Sequence, residues 1–358
     1  FCPNRTCPAH WPEPTGRRRQ PFFRRAGSYH SRRAGRVQRF QCRLCSHRFS
    51  ETSFSIDYFA KRRVSYHRLL GLLVNGAGVR GIARELHVSP AAVSLRILHL
   101  ARGALALHAQ LLSALTPAEP LVADGLESFW VSHYYPTNLN LAVGAHSQFL
   151  YGVSPATLRR SGRMSPAQRR RRAALDLRDR PDPTELPRRF AELLREASRL
   201  WQRMPAHTRE LRTDFHRQYP GALRSAGLAH TVTHRRYPST APRTTGNPLF
   251  AVNYADREIR KDLAEHRRET VCFARSAAMS MARLWVYVVY HNCKKPFRVA
   301  GKSGETHAER AGISATRLRA LTRGWLTRRA FLSHAPLSLE QLRVWVGAEH
   351  TPLREDRV

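Results

Sequence analysis

Four of the six cysteines lie within the first 45 residues, where they form two close pairs. Four residues separate Cys2 from Cys7, and two residues separate Cys42 from Cys45. Each pair can sit on one turn, and four thiolates complete the tetrahedral shell of a structural zinc ion. The spacing therefore predicts a zinc ribbon over residues 1–60, with unpaired reduced thiols as the alternative.

Two histidines and the two remaining cysteines have other predicted roles. His10 and His47 are alternative zinc ligands, because each lies close in sequence to one of the cysteine pairs. Six cysteines are too few and too unevenly spaced for a disulfide scaffold. Cys272 and Cys293 each stand alone in helical sequence, so we expect both to be small packed side chains.

Acidic residues are scarce in this chain, and two aspartates occur at the ends of predicted strands. Asp124 follows Leu-Val-Ala at the start of one strand, and Asp214 closes another. If these strands are neighbours, both carboxylates lie at one rim, and a third from the final helix completes a site for two hard cations. Two metals about 4 Å apart suit phosphoryl transfer, because they activate the attacking oxygen and stabilise the leaving one. The alternative makes Asp124 a turn former before Gly125 and Asp214 a helix cap before Phe215.

The hydrophobic pattern predicts the elements that position these aspartates. Apolar residues recur with a period of two after residue 117 and with helical spacing in later segments. Strands are predicted at 121–131, 138–144, 148–153, 210–214 and 229–234. Helices are predicted at 184–201, 219–226 and 254–292, the last interrupted near Ser276. This order predicts an α+β fold in which helices pack on a mixed sheet.

A helical pattern over residues 64–104 accommodates three helices, and its central part predicts a helix, a tight turn and a second helix. Ser89 is placed to cap the second helix, with Pro90 at its first position. A helix-turn-helix of this kind enters the major groove of DNA, and a plain three-helix bundle is the alternative. The candidate DNA contacts in this segment are Arg80, Arg84, Ser94 and Arg96.

The charge balance indicates a polyanionic partner. The chain has 61 Lys and Arg against 26 Asp and Glu, which gives a formal net charge of +35. An Arg-rich stretch at 159–172 lies in a predicted exposed insertion over about residues 155–183. A helix-turn-helix suits B-form DNA and not the deep, narrow groove of an RNA helix, so DNA is the expected partner.

The sequence also predicts a compartment. No apolar run approaches the roughly 20 residues that a membrane helix needs, and no secretory signal is evident. We therefore expect a soluble, cytoplasmic protein with no membrane partner, and the first residue, Phe1, suggests a reading frame that extends upstream. A helical tail is predicted over 299–358, with Trp325 and Trp345 packed either on the core or on a partner subunit.

The order of these features resembles one family. The zinc ribbon, the helix-turn-helix and the two aspartates are followed by Arg-Glu-Thr-Val-Cys-Phe-Ala-Arg-Ser at 268–276. With these features the chain resembles bacterial insertion-sequence transposases of the DDE type that carry an N-terminal zinc ribbon. The resemblance covers about residues 1–298 and is most specific at 40–45, 48–50 and 268–276. It implies an RNase H-like catalytic domain at 118–298, two Mg²⁺ ions, cleavage and joining of DNA strands at transposon ends, and a homo-oligomer in the DNA complex.

The two aspartates match the family's first two acids, but the third acid is not where the family has it. The family's spacing back from residue 268 reaches Asn253, with Arg260 at the position of the family's arginine. An asparagine does not replace an anionic ligand, whereas Asp256, one turn later, shares a helical face with both residues. We expect Asp256 to be the third ligand, and the alternatives are Glu269, Glu258 or an inactivated site.

The sequence thus predicts a multidomain α+β transposase that cleaves and transfers DNA strands in a Mg²⁺-dependent reaction. Asp124, Asp214 and Asp256 are expected to hold the metal ions, and Arg260 and His216 to position phosphate. The alternative is a catalytically inactive, transposase-derived DNA-binding protein or regulator. That alternative stays open because an asparagine occupies the position of the family's glutamate.

Overall fold

The computed structural model describes most of the chain, namely residues 1–11, 20–32, 34–115, 118–205, 208–268, 270–297 and 304–354. The first element is an antiparallel sheet of three strands, β1 (Phe23–Ser31), β2 (Gly35–Cys42) and β3 (Arg48–Ser50). A small core of cysteines and Ala9 lies beside it, apart from the main hydrophobic cluster. This loop-rich module agrees with the predicted ribbon.

Three helices follow, α1 (Tyr66–Val74), α2 (Val79–Glu85) and α3 (Pro90–Ala114). The Ser89 hydroxyl accepts a hydrogen bond from the backbone N–H of Ala92, which makes it the cap of α3. The third helix runs ten residues beyond the predicted end at residue 104. Of the described helices, α3 is the one with the length and apolar composition of a membrane span, and half of that stretch is buried within the protein.

Five strands form the central sheet, and their bounds are β4 (Leu121–Phe129), β5 (Pro136–Gly144), β6 (Leu150–Thr157), β7 (Glu210–Asp214) and β8 (Thr233–Tyr237). Their order in the sheet is β6-β5-β4-β7-β8. The pairs β4–β5 and β5–β6 are antiparallel, whereas β4–β7 and β7–β8 are parallel. This mixed sheet has the strand order of an RNase H-like fold, so the predicted fold class is confirmed.

Helices flank this sheet, and their bounds are α4 (Pro166–Asp176), α5 (Glu185–Trp201), α6 (Tyr219–Ser225), α7 (Phe250–Asp262) and α8 (Ala277–Cys293). Every residue of β6 is buried, because α5 and α8 both pack against this strand. The helix α7 packs on β4 and β5, and α3 packs along α8. Consequently α3 and the sheet share one hydrophobic cluster.

Three elements differ from the prediction. The strand β8 begins later than residue 229, because Leu228 and Val232 are buried in the core and close the turn after α6. The interruption predicted near Ser276 within 254–292 is confirmed, but it extends from the end of α7 at Asp262 to the start of α8 at Ala277. In this segment the Ala274 carbonyl accepts a hydrogen bond from the Val131 N–H at 2.8 Å. The Arg-rich insertion contains α4, of which only Leu175 is buried.

The tail packs on the core, which settles the alternative left open for its tryptophans. Its helices are α9 (His307–Arg310), α10 (Ala315–Thr322) and α11 (Leu339–Val346). Trp325 and Trp345 both belong to the main hydrophobic cluster, and the Trp325 indole donates a hydrogen bond to the Leu100 carbonyl. The tail is therefore part of the folded body.

Candidate active site and cysteine cluster

Asp124 and Asp214 lie on adjacent parallel strands. The register pairs Leu121 with Leu211 and Val122 with Arg212, so that the two aspartates occupy neighbouring positions two residues farther along. Adjacent strands lie about 4.8 Å apart. Burial, and then the negative charge of Asp214, raise the pKa of Asp124. The two predicted acids are therefore close enough to repel each other.

The residue after Asp124 is a glycine because a neighbouring side chain leaves no space for a Cβ atom, and not because the chain turns there. Gly125 lies inside β4, and a Cβ at this position would lie 2.0 Å from Oδ1 of Asn138 on β5. Asp124 is thus a strand residue and not a turn former. Asp214 accepts a hydrogen bond from the backbone N–H of His216, 2.8 Å away. It is not a helix cap, because α6 begins at Tyr219 and its N-cap is Gln218.

Tyr219, at the first position of α6, is a member of this site that the sequence did not indicate. Its hydroxyl donates a hydrogen bond to Oδ1 of Asp124 at 3.2 Å, and its ring lies against Phe190 with centroids 4.4 Å apart. Burial, and then the charges of Asp124, Asp214 and Asp256, raise the pKa of this hydroxyl. Tyr219 therefore lies within the electrostatic reach of all three aspartates.

Asp256 reaches this group of acids from α7. Burial, followed by the charge of Asp124, raises the pKa of Asp256 to about 8, although Arg260, Arg243 and Arg268 oppose the shift. Its Oδ1 atom is buried and has no hydrogen-bond partner among the described residues. A buried acceptor without a hydrogen-bond partner lowers the stability of the folded state. A bound ligand would remove this cost at Oδ1 of Asp256.

A cavity of about 740 Å³ separates α7 from the edge of β4. Its wall includes three acidic and four basic side chains, Asp124, Glu127, Asp256, Arg243, Arg257, Arg260 and Arg268. Asn253 also lines it, so Asn253, Asp256 and Arg260 share the helical face that their spacing predicts. Asp214 is not part of this lining. Carboxylates on the floor and arginines around them suit a phosphodiester together with a cation.

The carboxylates fit a hard divalent cation, though they do not yet enclose one. Among the described residues, the one group of three or more metal-ligating side chains with ligand atoms within 4.8 Å of one another is the cysteine cluster. The aspartates offer oxygen donors, repel one another, and leave Oδ1 of Asp256 unpaired. Oxygen ligands of this kind are those that Mg²⁺ prefers.

The other acids proposed for the third position do not serve it. Glu258 is buried on the other side of α7, where it forms ion pairs with Lys261, at 2.8 Å, and with Lys295. Both lysines hold its pKa below the ordinary value against the effect of burial. A carboxylate neutralised in this way is not available to a cation in the cavity, so Glu258 is wrong as the third ligand. Glu269 lies outside the described residues.

The four N-terminal cysteines are already gathered. The Sγ atoms of Cys7 and Cys42 lie 3.6 Å apart, and those of Cys2 and Cys45 lie 3.8 Å apart. A tetrahedron with Zn–S bonds of about 2.3 Å has edges of about 3.8 Å. The cluster can therefore bind zinc with little movement.

Neither histidine belongs to this cluster. His10 is buried, and its ring nitrogens contact the Cys2 carbonyl at 2.7 Å and the Ser333 hydroxyl at 2.6 Å. His47 is exposed, and its carbonyl accepts a hydrogen bond from the Cys42 N–H. His10 therefore orients the loop of Cys2, and the four thiols form the ligand set alone.

The predicted DNA contacts are placed differently from one another. Arg80 and Arg84 are exposed on α2, and Ser94 is half-buried. Arg96 is only 4% exposed, lies 3.8 Å from Asp57, and donates to a backbone carbonyl. Arg96 is thus wrong as a DNA contact: it lies one turn after the buried Val93, on the inner face of α3.

The arginine and histidine expected near phosphate lie beside the aspartates. Arg260 lines the cavity and donates a hydrogen bond to the His266 carbonyl at 3.2 Å. His216 is exposed, its ring lies 5.1 Å from that of Tyr219, and its charge lowers the pKa of Asp124 against the dominant effect of burial. Both side chains can therefore reach an anion bound next to Asp124.

Comparisons with known proteins add little to this geometry. No protein-family model matches the chain. No curated protein matches it either. Among solved structures, the chain is similar to the catalytic core domain of BIV integrase, with 15% sequence identity and a TM-score of 0.29, over 54% of this chain and 92% of that one. A likeness at this level transfers no activity.

Proposed function

We propose that this chain is a DDE-type DNA transposase, a divalent-metal-dependent phosphoryl transferase that cleaves and joins DNA strands at the ends of an insertion sequence. The observation that carries the proposal is the position of the three acids. Asp124 and Asp214 lie on neighbouring parallel strands. Asp124 and Asp256 both line a cavity with four arginines, and one buried oxygen of Asp256 has no hydrogen-bond partner among the described residues.

The side chains around the cavity have separate tasks in such a reaction. Arg260 and its neighbours on the cavity wall bind the phosphodiester and offset its charge. Tyr219 holds one oxygen of Asp124 by its hydrogen bond and thereby fixes the direction of the other. Two divalent cations held by the three aspartates would supply activation of the attacking oxygen and stabilisation of the leaving one. His216, at the open side of Asp124, positions the phosphate.

The protonation state of Asp256 also affects cation binding. With its pKa raised to about 8, its carboxyl group holds a proton at neutral pH for as long as no cation balances the neighbouring charge. Binding of a cation favours the charged form, so the proton leaves Asp256 as the metal arrives. Cation binding is therefore expected to become tighter as pH rises toward 8.

DNA binding is assigned to three exposed basic surfaces. Arg80 and Arg84 on α2, together with the start of α3, would recognise the ends of the element in the major groove. The exposed Arg169, Arg170 and Arg171 on α4 would hold the flanking backbone, and the cysteine module would add a zinc-stabilised contact. We further propose that the protein is cytoplasmic, has no membrane partner and acts as a homo-oligomer on DNA.

Asn253 favours a second candidate function. It lies on the cavity wall where the resembling family has a glutamate, and an amide brings no charge to a cation. A transposase-derived DNA-binding protein or regulator would keep the basic surfaces and lack cleavage. The two candidate functions differ in whether Asp256 acts as the third cation ligand and supports cleavage.

Strand cleavage tests the proposal. Purified protein and Mg²⁺ are added to DNA that carries the ends flanking its own coding sequence, and the expected products are nicked and joined strands. Asp124→Asn and Asp214→Asn are expected to abolish the products, whereas Glu127→Gln, at an exposed position on the same cavity wall, retains them. Cleavage that is unchanged in both aspartate variants would contradict the assignment. Binding without any Mg²⁺-dependent cleavage would favour the regulator.

A further inference from the structure

A second cavity lies far from the aspartates in sequence, where three parts of the chain meet. It has a volume of about 260 Å³, and its polar and aromatic lining includes Arg5, Phe59, His99, Arg102, Arg329 and Trp345. Arg5 comes from the loop between the first two cysteines, Arg102 from α3 and Arg329 from the tail. We call this cavity the arginine pocket.

Main-chain pairing holds the tail at this place. The Ile56 N–H donates to the Thr327 carbonyl at 3.0 Å, and the Arg329 N–H donates to the Phe54 carbonyl at 2.8 Å. The position of Arg329 is thus set by backbone hydrogen bonds as well as by its side chain. The fold thus places Arg329 next to the segment that precedes α1.

The arginine pocket contains positive charge that no described acidic residue balances. No described acidic side chain lines it, and none forms an ion pair with Arg5, Arg102 or Arg329. Burial lowers the pKa of Arg329 and of Arg102, and the charges of Arg102 and Arg5 lower that of Arg329 further. His99 adds a buried Nδ1 atom that has no hydrogen-bond partner among the described residues.

The arginines that are fully buried in the described part of the chain have acidic partners. Arg189 pairs with Glu340 at 2.9 Å and with Glu349 at 2.8 Å, and Arg283 pairs with Glu265 at 2.9 Å. A buried cation is normally compensated in this way, because desolvation of an unpaired charge is expensive. Arg102 and Arg329 are half-buried and Arg5 is exposed, and none of them has such a partner among the described residues, so their charge is available to an anion from outside.

Aromatic rings hold Arg329 without neutralising it. Its guanidinium carbon lies 4.7 Å from the ring centre of Phe59, 4.8 Å from that of Phe331 and 5.2 Å from that of Tyr58. Stacking on ring faces uses the plane of the guanidinium and leaves its N–H edge for an oxyanion, which it binds with two parallel hydrogen bonds. The side chain is therefore arranged in advance for a phosphate.

The size of the cavity selects among phosphate-bearing ligands. Sites for free small molecules and cofactors usually measure about 300–1,000 Å³, and the 260 Å³ here lies below that range. A backbone phosphate with its sugar needs less space than a whole nucleotide. The Phe59 ring, which is 62% exposed beside the pocket, offers an apolar surface to that sugar.

We infer that the arginine pocket binds one phosphate of the DNA backbone, and that the tail thereby completes a DNA contact begun by the cysteine module and α3. The inference rests on the DNA binding put forward above, but not on cleavage. It gives the tail a role in binding in addition to its packing on the core. It also predicts that DNA holds the module, α3 and the tail together.

The salt dependence of DNA binding tests this inference. The full chain is titrated with a short duplex of arbitrary sequence at several salt concentrations, without added Mg²⁺, and log K is plotted against log salt concentration. Each phosphate contact adds about 0.9 to the slope, so Arg329→Gln and Arg5→Gln are each expected to give a slope about 0.9 shallower. Arg323→Gln removes an exposed charge from the same tail outside the pocket, and its slope is expected to equal that of the unmodified protein.

Two further measurements guard this test against misfolding and against a free ligand. Arg5 lies on an exposed loop, so Arg5→Gln is expected to retain the thermal melting temperature even if Arg329→Gln lowers it. Inorganic phosphate alone is expected to raise the thermal melting temperature of the unmodified protein no more than it raises that of the Arg329→Gln variant. Unchanged slopes in both variants, or tight binding of inorganic phosphate with unchanged slopes, would overturn the inference. A chain with the expected slopes but no cleavage would overturn only the transposase assignment.

Discussion

Two acidic clusters meet α7, and they differ in how their charge is balanced. On the inner side, Glu258 and Asp262 both bind Lys295, and the Tyr287 hydroxyl donates to Asp262 at 3.0 Å. On the cavity side, Asp256 faces other aspartates and leaves one oxygen without a hydrogen bond among the described residues. One helix thus carries a neutralised cluster and an unneutralised one.

This difference distinguishes charged residues that stabilise the fold from charged residues that can bind a ligand, in the described part of the chain. A lysine that balances buried carboxylates stabilises the fold and leaves nothing for a ligand to do. Carboxylates that repel one another destabilise the free protein, and their charge becomes useful only when a cation joins them. The same criterion picks out the arginine pocket, where it is positive charge that lacks a partner in the protein.

The cysteine cluster extends the comparison to thiolates, and its loss is expected to have the largest effect. The four cysteine thiols lie close enough to bind one zinc ion as thiolates. The apparent free energy of zinc binding in small structural sites is on the order of 10 kcal/mol. Cys42→Ser is expected to lose the stoichiometric zinc, as measured by elemental analysis of the purified protein. Cys272 is exposed outside the cluster, so the expectation that it is packed is wrong, and Cys272→Ser is expected to retain the zinc. A protein that carries no zinc under any condition would break this part of the comparison.

Removal of the lysine from the neutralised cluster is expected to cost about 3–5 kcal/mol of unfolding free energy. Lys295→Met leaves the buried Glu258 and the half-buried Asp262 with the largely exposed Lys261 as their remaining described cationic partner. The measurement is equilibrium denaturation in urea, and Lys261→Met is the control. The Lys261 side chain is 55% exposed, so its loss is expected to cost less than about 1 kcal/mol. Equal effects of the two variants would show that Lys295 does not balance the cluster.

The hydrogen bond from Tyr219 to Asp124 is expected to be worth about 1.4 kcal/mol, or tenfold in cleavage rate. Tyr219→Phe keeps the ring against Phe190 but removes the donor, so the pKa of Asp124 rises. Since Asp124 acts as an anion, the acidic limb of the rate–pH profile is expected to move to higher pH. A uniform loss of rate at every pH would instead indicate misplaced packing.

The unneutralised cluster is also expected to make the stability of the fold depend on pH. The folded-state pKa of Asp256 is about 8 and its ordinary value is 3.8, so between these values the folded state binds more protons than the unfolded chain. Stability therefore falls as pH rises through this window. Asp256→Asn removes that decline, and Glu340, whose pKa is also raised to about 8, cancels in the difference between the two proteins. Melting temperatures at pH 6 and about pH 8.5 test this, and a constant difference contradicts it.

Much of this arrangement is predictable from local sequence. Apolar residues that alternate along β4 and β7 place both strands correctly, and helical spacing puts Asn253, Asp256 and Arg260 on one face of α7. The burial of Arg96 is also a local signal, because it follows Val93 by three residues on the inner face of α3. These features depend on residues that are near one another in the chain.

The parts that sequence did not indicate depend on contacts between distant segments. Tyr219 joins the site because the start of α6 comes next to β4, ninety-five residues earlier in the chain. The interruption predicted near Ser276 is longer than expected, and within it Ala274 forms a bridge with Trp130, after the end of β4. The arginine pocket likewise needs the tail to reach the cysteine module. The hydrophobic periodicity of a single segment does not predict contacts between segments that are distant in the chain.

Divalent-cation binding tests the central claim most directly, because it requires neither the right DNA sequence nor catalysis. Mn²⁺ is titrated into the purified, zinc-loaded protein at about pH 8, where Asp256 begins to ionise, and bound ion is measured by electron paramagnetic resonance. We expect the unmodified protein to bind Mn²⁺, Asp124→Asn and Asp256→Asn to lose it, and Glu127→Gln to retain it. Binding by Asp256→Asn that equals that of the unmodified protein would contradict the claim that these aspartates form one cation site.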